Sequence, residues 1–120
     1  MKKIILVEDD AAIRDVFSMA LDPEKYEVLT YERGDSLLAG QTEVPDLFVL
    51  DKSIAGSNGL DICRFIKKSQ QYHLVPVVIL SASPDIVTSA RQAGADDTIT
   101  KPFTLKTLRT VIEKYTTQQG

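Results

Sequence analysis

The 120-residue sequence predicts an α/β domain built on a single doubly wound, five-stranded parallel sheet. Three observations carry that expectation. Short apolar runs recur along the chain, stretches with helical spacing separate them, and the polar residues able to do chemistry fall immediately after the runs. Runs that are apolar on both faces suit strands covered by helices on each side, hence a parallel sheet.

The strong runs are Ile4–Val7, Leu47–Leu50 and Val77–Leu80, and weaker ones lie at Tyr26–Thr30 and Thr98–Thr100. Ala12, Ile13, Val16, Phe17, Ala20 and Leu21 form one apolar stripe, ended by Asp22-Pro23. A short second helix covers Asp35 to Ala39. The third runs from about Leu60 to Lys68 with Ile62, Cys63 and Ile66 inward. Ser83-Pro84-Asp85 reads as the cap, first residue and first-turn acid of a fourth helix, with Gly94 just past its end. The fifth starts near Thr104 and turns Leu105, Leu108, Val111, Ile112 and Tyr115 to one face. The order is (βα) five times. Right-handed crossovers then give an open sheet with the flavodoxin-like strand order 2-1-3-4-5.

Bulk properties bound the class. The length suits one domain and one core. A net charge of −3 argues against nucleic acid or an anionic membrane as the primary partner. No apolar run approaches a membrane span. Lys2-Lys3 followed by Ile4–Val7 resembles a signal peptide only until Glu8-Asp9-Asp10 interrupts it. Cys63 is the lone cysteine, which excludes an internal disulfide and fits a reducing cytoplasm. There is no linker, low-complexity tract or repeat.

The chemistry collects at strand ends. Glu8-Asp9-Asp10 follow the first strand, Asp51 the third, Ser81 the fourth and Lys101 the fifth. In an open parallel sheet those ends share one edge, and the crevice at the switch point lies between strands one and three. Carboxylates packed together repel and raise at least one pKa unless a cation joins them. Their oxygens suit a hard divalent ion, and Mg²⁺ completed by waters and phosphate oxygens is the expected species. Lys101 adds a compact positive charge and Ser81 a hydroxyl. A metal, an ammonium and a hydroxyl around one carboxylate provide the positioning and charge neutralisation that phosphoryl transfer needs, with Asp51 as nucleophile.

These residues carry a family resemblance. Ile4-Ile5-Leu6-Val7-Glu8-Asp9-Asp10 resembles the opening of a response regulator receiver domain, of the CheY-like superfamily of two-component signal transduction. Asp46 to Asp51, with Gly56 and Asn58-Gly59 beyond, resembles its phosphoacceptor segment. Val77 to Ala82 resembles the switch-hydroxyl segment, and Gly94-Ala95-Asp96-Asp97 leading to Lys101-Pro102-Phe103 the closing motif. The resemblance spans nearly the whole chain with all four motifs in order.

It implies that Asp9 is a direct metal ligand, that Glu8 acts mainly through water, and that Asp51 is both ligand and phosphoacceptor. The Ser53 carbonyl completes the metal shell, and Ser81 and Lys101 bind the phosphoryl group. The Lys101-Pro102 bond is expected to be cis. Asp10 reads as a neighbour or helix cap. The implied donor is a sensor histidine kinase or histidine phosphotransfer protein, and the implied reader is a downstream effector. Helix four, strand five and helix five form the switching surface, which also leaves open a homodimer. The only catalysis implied is of the chain's own phosphorylation and dephosphorylation. The chain ends at Gly120 just past helix five, so residues 1–120 are read as a receiver without an effector domain, either standing alone or belonging to a longer regulator.

Two positions depart from the family pattern. Ala55 replaces a proline, leaving that loop less rigid. Thr98 replaces the aromatic switch residue, so output is expected through helix four and its preceding loop.

Other readings compete. A haloacid-dehalogenase-type phosphatase needs a second Asp where Ser53 stands, and a flavin carrier would not place Glu8-Asp9-Asp10 against a phosphate. A degenerate receiver acting as a constitutive interaction module is the remaining alternative, separated by Mg²⁺ binding and acyl-phosphate formation. Ser53 and Ser83 flank the pocket and either tune water access or face solvent. Cys63, Phe103 and Tyr115 read as packing residues, and His73 as a surface loop residue.

Overall fold

The computed structural model describes residues 1–54 and 57–117. The expectations placed on Ala55, Gly56 and the chain end at Gly120 lie outside the described residues. Five strands, β1 (Lys2–Val7), β2 (Tyr26–Tyr31), β3 (Leu47–Asp51), β4 (Val77–Ser81) and β5 (Asp97–Thr100), form one parallel sheet. Their order is β2-β1-β3-β4-β5, the expected 2-1-3-4-5. Among the described residues five helices alternate with them: α1 (Ala11–Ala20), α2 (Asp35–Leu38), α3 (Gly59–Lys68), α4 (Ile86–Gln92) and α5 (Leu105–Thr116). A two-residue antiparallel ladder, Ser53–Ile54 against Ser57–Asn58, precedes α3 and was not expected.

Alternation along the strands divides the core in two, because successive side chains leave a strand on opposite faces. Ile5, Val7, Phe48, Leu50, Val77 and Ile79 face α2, α3 and α4, where Leu37, Ile62, Cys63, Ile66 and Ala90 meet them. Ile4, Leu6, Leu47, Val49, Val78 and Leu80 face α1 and α5, meeting Phe17, Ala20, Leu108 and Ile112. Every residue from Ile4 to Val7 and from Leu47 to Leu50 is fully buried, as two-sided coverage requires. Phe103 packs edge-to-face on Phe17 at 6.3 Å, and Tyr115 donates to Asp97 at 3.1 Å while covering the second core. His73 is exposed in the turn before β4.

Local signals set the helix ends. Asp10 caps α1 by accepting the Ala12 N–H at 2.9 Å, Asn58 caps α3 through Leu60 at 2.8 Å, and Thr104 caps α5 through Thr107 at 3.0 Å. Gly94 follows α4 with φ +96°. Its N–H bonds to Arg91 and that of Ala95 to Ala90, the paired closure that a left-handed residue permits.

The structure corrects four details. α4 begins at Ile86, not at Pro84: the Ser83 carbonyl accepts the Ile86 N–H at 3.2 Å in a separate turn, and the Ser83 N–H is taken by Ser81. Ser83 therefore does not cap the helix, and Asp85, at the cap position, makes no side-chain cap bond. Ala12 and Leu105 are exposed, since both lie in the first turn of their helices, ahead of the stretch that meets the sheet. α2 ends one residue early, at Leu38. Among the described residues no helix is long and apolar enough to cross a membrane.

Candidate functional site

The strand register brings the chemistry together. Val7 pairs with Leu50, Asp51 with Leu80, and Ser81 with Thr100. Glu8, Asp51, Ser81 and Lys101 therefore sit at neighbouring strand ends on one edge of the sheet. Backbone bonds continue the ladder past the strands: Glu8 donates to Tyr31 at 2.9 Å, Lys52 to Leu80 at 2.8 Å, and Lys101 to Ser81 at 2.8 Å.

Carboxylate oxygens of Glu8, Asp9 and Asp51 lie within 4.8 Å of one another. Glu8 is fully buried and Asp51 nearly so, whereas Asp9 is exposed at the mouth. The Lys101 ammonium donates to Asp51 Oδ1 at 3.0 Å and to Glu8 Oε1 at 3.1 Å. Glu8 Oε2 accepts the Asp10 N–H at 3.2 Å. The Lys101-Pro102 peptide is cis.

Electrostatics follow from this crowding. Burial pushes the Glu8 carboxyl up to about 7, and the neighbouring Asp51 charge adds to the shift against the opposing pull of Lys101. Burial works against the Lys101 charge, yet the bonds from Asp51 and Glu8 outweigh it and hold its pKa above the ordinary value. Three carboxylates, two of them bonded to one ammonium, leave net negative charge in a partly dry crevice. That donor set fits a hard divalent cation bound through oxygen.

Each site residue expected from the sequence has a defined place among the described residues. Glu8, Asp9, Asp51 and Lys101 converge. Ser81 is buried on the same edge, and its Oγ accepts the Ser83 N–H at 3.0 Å. Ser53 is exposed in the short ladder, opposite Asn58. Cys63 is fully buried in α3, its thiol donating to the Ala93 carbonyl at 3.4 Å.

Gly59 was read only as part of the phosphoacceptor-like segment, without its packing role, and Arg14 was missed. An alanine Cβ at Gly59 would lie 2.1 Å from the Asp51 carbonyl oxygen, so only glycine lets α3 start against the end of β3. Its place eight residues past Asp51 was the available signal. Arg14 reaches from α1 to the Glu8 carbonyl at 2.8 Å, and an isolated arginine beside an apolar helical stripe was its only trace. A groove of about 240 Å³ lies at the opposite edge of the sheet, lined by Leu21, Lys25, Arg109 and Glu113 among others. Its charges are mixed and Arg109 is already bonded to the Ala20 carbonyl at 2.7 Å, so it competes poorly as a reactive centre.

Comparison with known proteins agrees with this fold. The family model described as the response regulator receiver domain matches residues 4–113. The alkaline phosphatase synthesis transcriptional regulatory protein SphR of Synechococcus elongatus is 42% identical over 114 residues. That match takes in 84% of this chain but 43% of SphR, so the chain spans less than half of that relative's length. Among solved structures, the chemotaxis response regulator CheY4 of Vibrio cholerae superposes with a TM-score of 0.86 at 26% identity, covering 96% of this chain and 98% of CheY4. The phosphorylated cyanobacterial phytochrome response regulator RcpA gives 0.81 at 28% identity, covering 99% of this chain and 96% of RcpA.

Proposed function

The chain belongs to the response regulator receiver family, and from that membership we propose that it accepts a phosphoryl group on Asp51 in a Mg²⁺-dependent pocket. The donor is a phosphohistidine on a sensor histidine kinase or a histidine phosphotransfer protein. One observation carries this reading: three carboxylates meet within 4.8 Å while Lys101 bridges two of them.

Asp9 and Asp51 would hold the ion directly, Glu8 through water, and the Ser53 carbonyl would complete the protein's share. Bound there, Mg²⁺ supplies charge neutralisation for the incoming phosphoryl oxygens. The chain's own residues do the rest. The Asp51 carboxylate attacks phosphorus, the phosphorus–nitrogen bond to the donor imidazole breaks, and an acyl phosphate forms. Lys101, already at Asp51 Oδ1, meets one phosphoryl oxygen, and the Ser81 hydroxyl meets another. The only reactions catalysed are the gain and later loss of this group. RcpA being a phosphorylated response regulator of the same fold supports the assignment.

The phosphoryl group adds about −1.5 to −2 charges at the sheet edge. When Ser81 turns toward it, the bond from the Ser83 N–H is given up, and the turn leading into α4 is released. Thr98 on β5 borders Val87, Ala90 and Arg91 of α4 around a cavity of about 50 Å³. With no ring at Thr98, output travels through this α4 contact, and the face formed by α4, β5 and α5 meets the effector or a second copy. Residues 1–120 act as one cytoplasmic receiver unit, whose effector is a separate protein or a further domain.

The test is incubation with acetyl phosphate, with and without Mg²⁺, read by intact mass and amide spectra. A Mg²⁺-dependent adduct on Asp51 with shifts in α4 and β5 supports the whole scheme. An adduct without distal shifts removes the output route. No adduct favours a constitutive interaction module.

A further inference from the structure

Glu8 is held at every polar group. Its N–H donates to Tyr31, its carboxylate takes Lys101 and the Asp10 N–H, and its carbonyl accepts Arg14 Nη1 at 2.8 Å. Three of these restraints come from the sheet or the site itself. The fourth comes from α1, and it acts on the peptide that joins Glu8 to Asp9.

We propose that Arg14 is a positioning residue for the acidic pocket, clamping the Glu8 carbonyl so that the Asp9 carboxylate is presented to the metal beside Asp51. The proposal rests on the Mg²⁺-dependent site described above.

Arg14 is the fourth residue of α1, and helical side chains lean back toward the N-terminus, which brings the guanidinium over the loop that enters the helix. A cation there opposes the helix dipole, so the position is not one that helix stability selects. The side chain is mostly covered, at 21% exposure, and its second nitrogen meets Glu32 at 3.5 Å just past β2. Glu32 itself is 74% exposed, so this outer pair steadies the fork more than it stabilises the fold. The planar guanidinium serves the carbonyl and Glu32 together, which a lysine ammonium on its flexible stem does poorly.

Asp9 is the exposed member of the trio and lies in the loop between β1 and α1. Positioning residues behind metal ligands typically change affinity 10–100-fold when removed.

The test uses the full chain as wild type, Arg14→Ala, Arg14→Lys and Glu32→Gln. Each is titrated with MgCl₂ and followed by amide spectra, with urea unfolding measured separately. Arg14→Ala is expected to weaken Mg²⁺ binding by about tenfold, with Arg14→Lys recovering part of the loss and Glu32→Gln close to wild type. In the metal-free protein, Arg14→Ala also speeds amide exchange at Glu8 and Asp10. Unchanged affinity with unchanged exchange overturns the proposal. So does tighter binding by Arg14→Ala, which would reduce the guanidinium to a repelling charge, and so does lost urea stability with retained affinity. Failure of the underlying site looks different: the wild type itself shows no saturable Mg²⁺ response, and exchange at Glu8 and Asp10 then decides the clamp alone.

Discussion

Gly59→Ala isolates how the end of β3, which carries Asp51, is held. The added Cβ would stand 2.1 Å from the Asp51 carbonyl oxygen, 2.9 Å from its carbon and 3.0 Å from Lys52 Cα. All three are backbone atoms, so no side chain can swing aside. Neither partner moves freely, because the Gly59 N–H bonds to the Lys52 carbonyl and the Lys52 N–H to Leu80, both at 2.8 Å. Alanine ordinarily stabilises a helical site over glycine by about 1 kcal/mol. Against that stand about 1–3 kcal/mol for overpacking and about 1 kcal/mol for a displaced backbone bond. The clash wins, with a net loss of about 2 kcal/mol and a Tm lower by about 8 °C for a domain of this size. Urea unfolding and calorimetry measure the loss, and acetyl-phosphate labelling measures whether Asp51 still reacts. A Gly59→Ala protein as stable as wild type and labelled at the same rate would falsify the reasoning.

Asp51→Asn should abolish the adduct in intact mass, and Asp9→Ala should remove both labelling and its Mg²⁺ dependence; retained acyl phosphate in Asp51→Asn sinks the site assignment. Asp96 accepts both the Val77 N–H at 2.8 Å and Lys67 at 2.9 Å, so Asp96→Ala should cost about 1–3 kcal/mol in urea unfolding. An unchanged midpoint would mean that water replaces both bonds. Burial pushes the Cys63 thiol up to about 11, from 9.0 when exposed, so the folded chain keeps its proton while the unfolded chain loses it. That contribution to stability is present below pH 9 and fades between pH 9 and 11. Native Cys63 should resist iodoacetamide at pH 8 and react only on unfolding; rapid native labelling would contradict its burial.

The architecture was legible because strands buried on both sides write unbroken apolar runs, and the helices between them carry a clear periodicity. The convergence of Glu8, Asp9, Asp51 and Lys101 followed from topology alone: once the strands are parallel, their ends share an edge. What sequence could not show was local competition for single hydrogen bonds. Ser83 looked like a helix cap, but its carbonyl accepts the Ile86 N–H in a separate turn and α4 starts only at Ile86. The Glu8–Lys101 pairing, the Arg14 contact and the closeness of Gly59 to Asp51 depend on ångström distances between distant segments, which no spacing encodes. The order of exposure within the acidic trio was likewise invisible, since adjacent Glu8 and Asp9 differ only in which way the chain turns after β1.

The alternation that splits the core has one further effect. A slip of β3 by a single residue against β1 would exchange the side chains of its two faces, sending Val49 toward α3 and Leu50 toward α5, and would carry Asp51 off the rim. The acids themselves repel one another and would welcome the separation. What forbids it is the interior, where two sets of side chains of different shape each fit one layer only. The hydrocarbon thus holds the oxygens of Glu8, Asp9 and Asp51 within 4.8 Å of one another against their own repulsion, with Lys101 bonded to two of them.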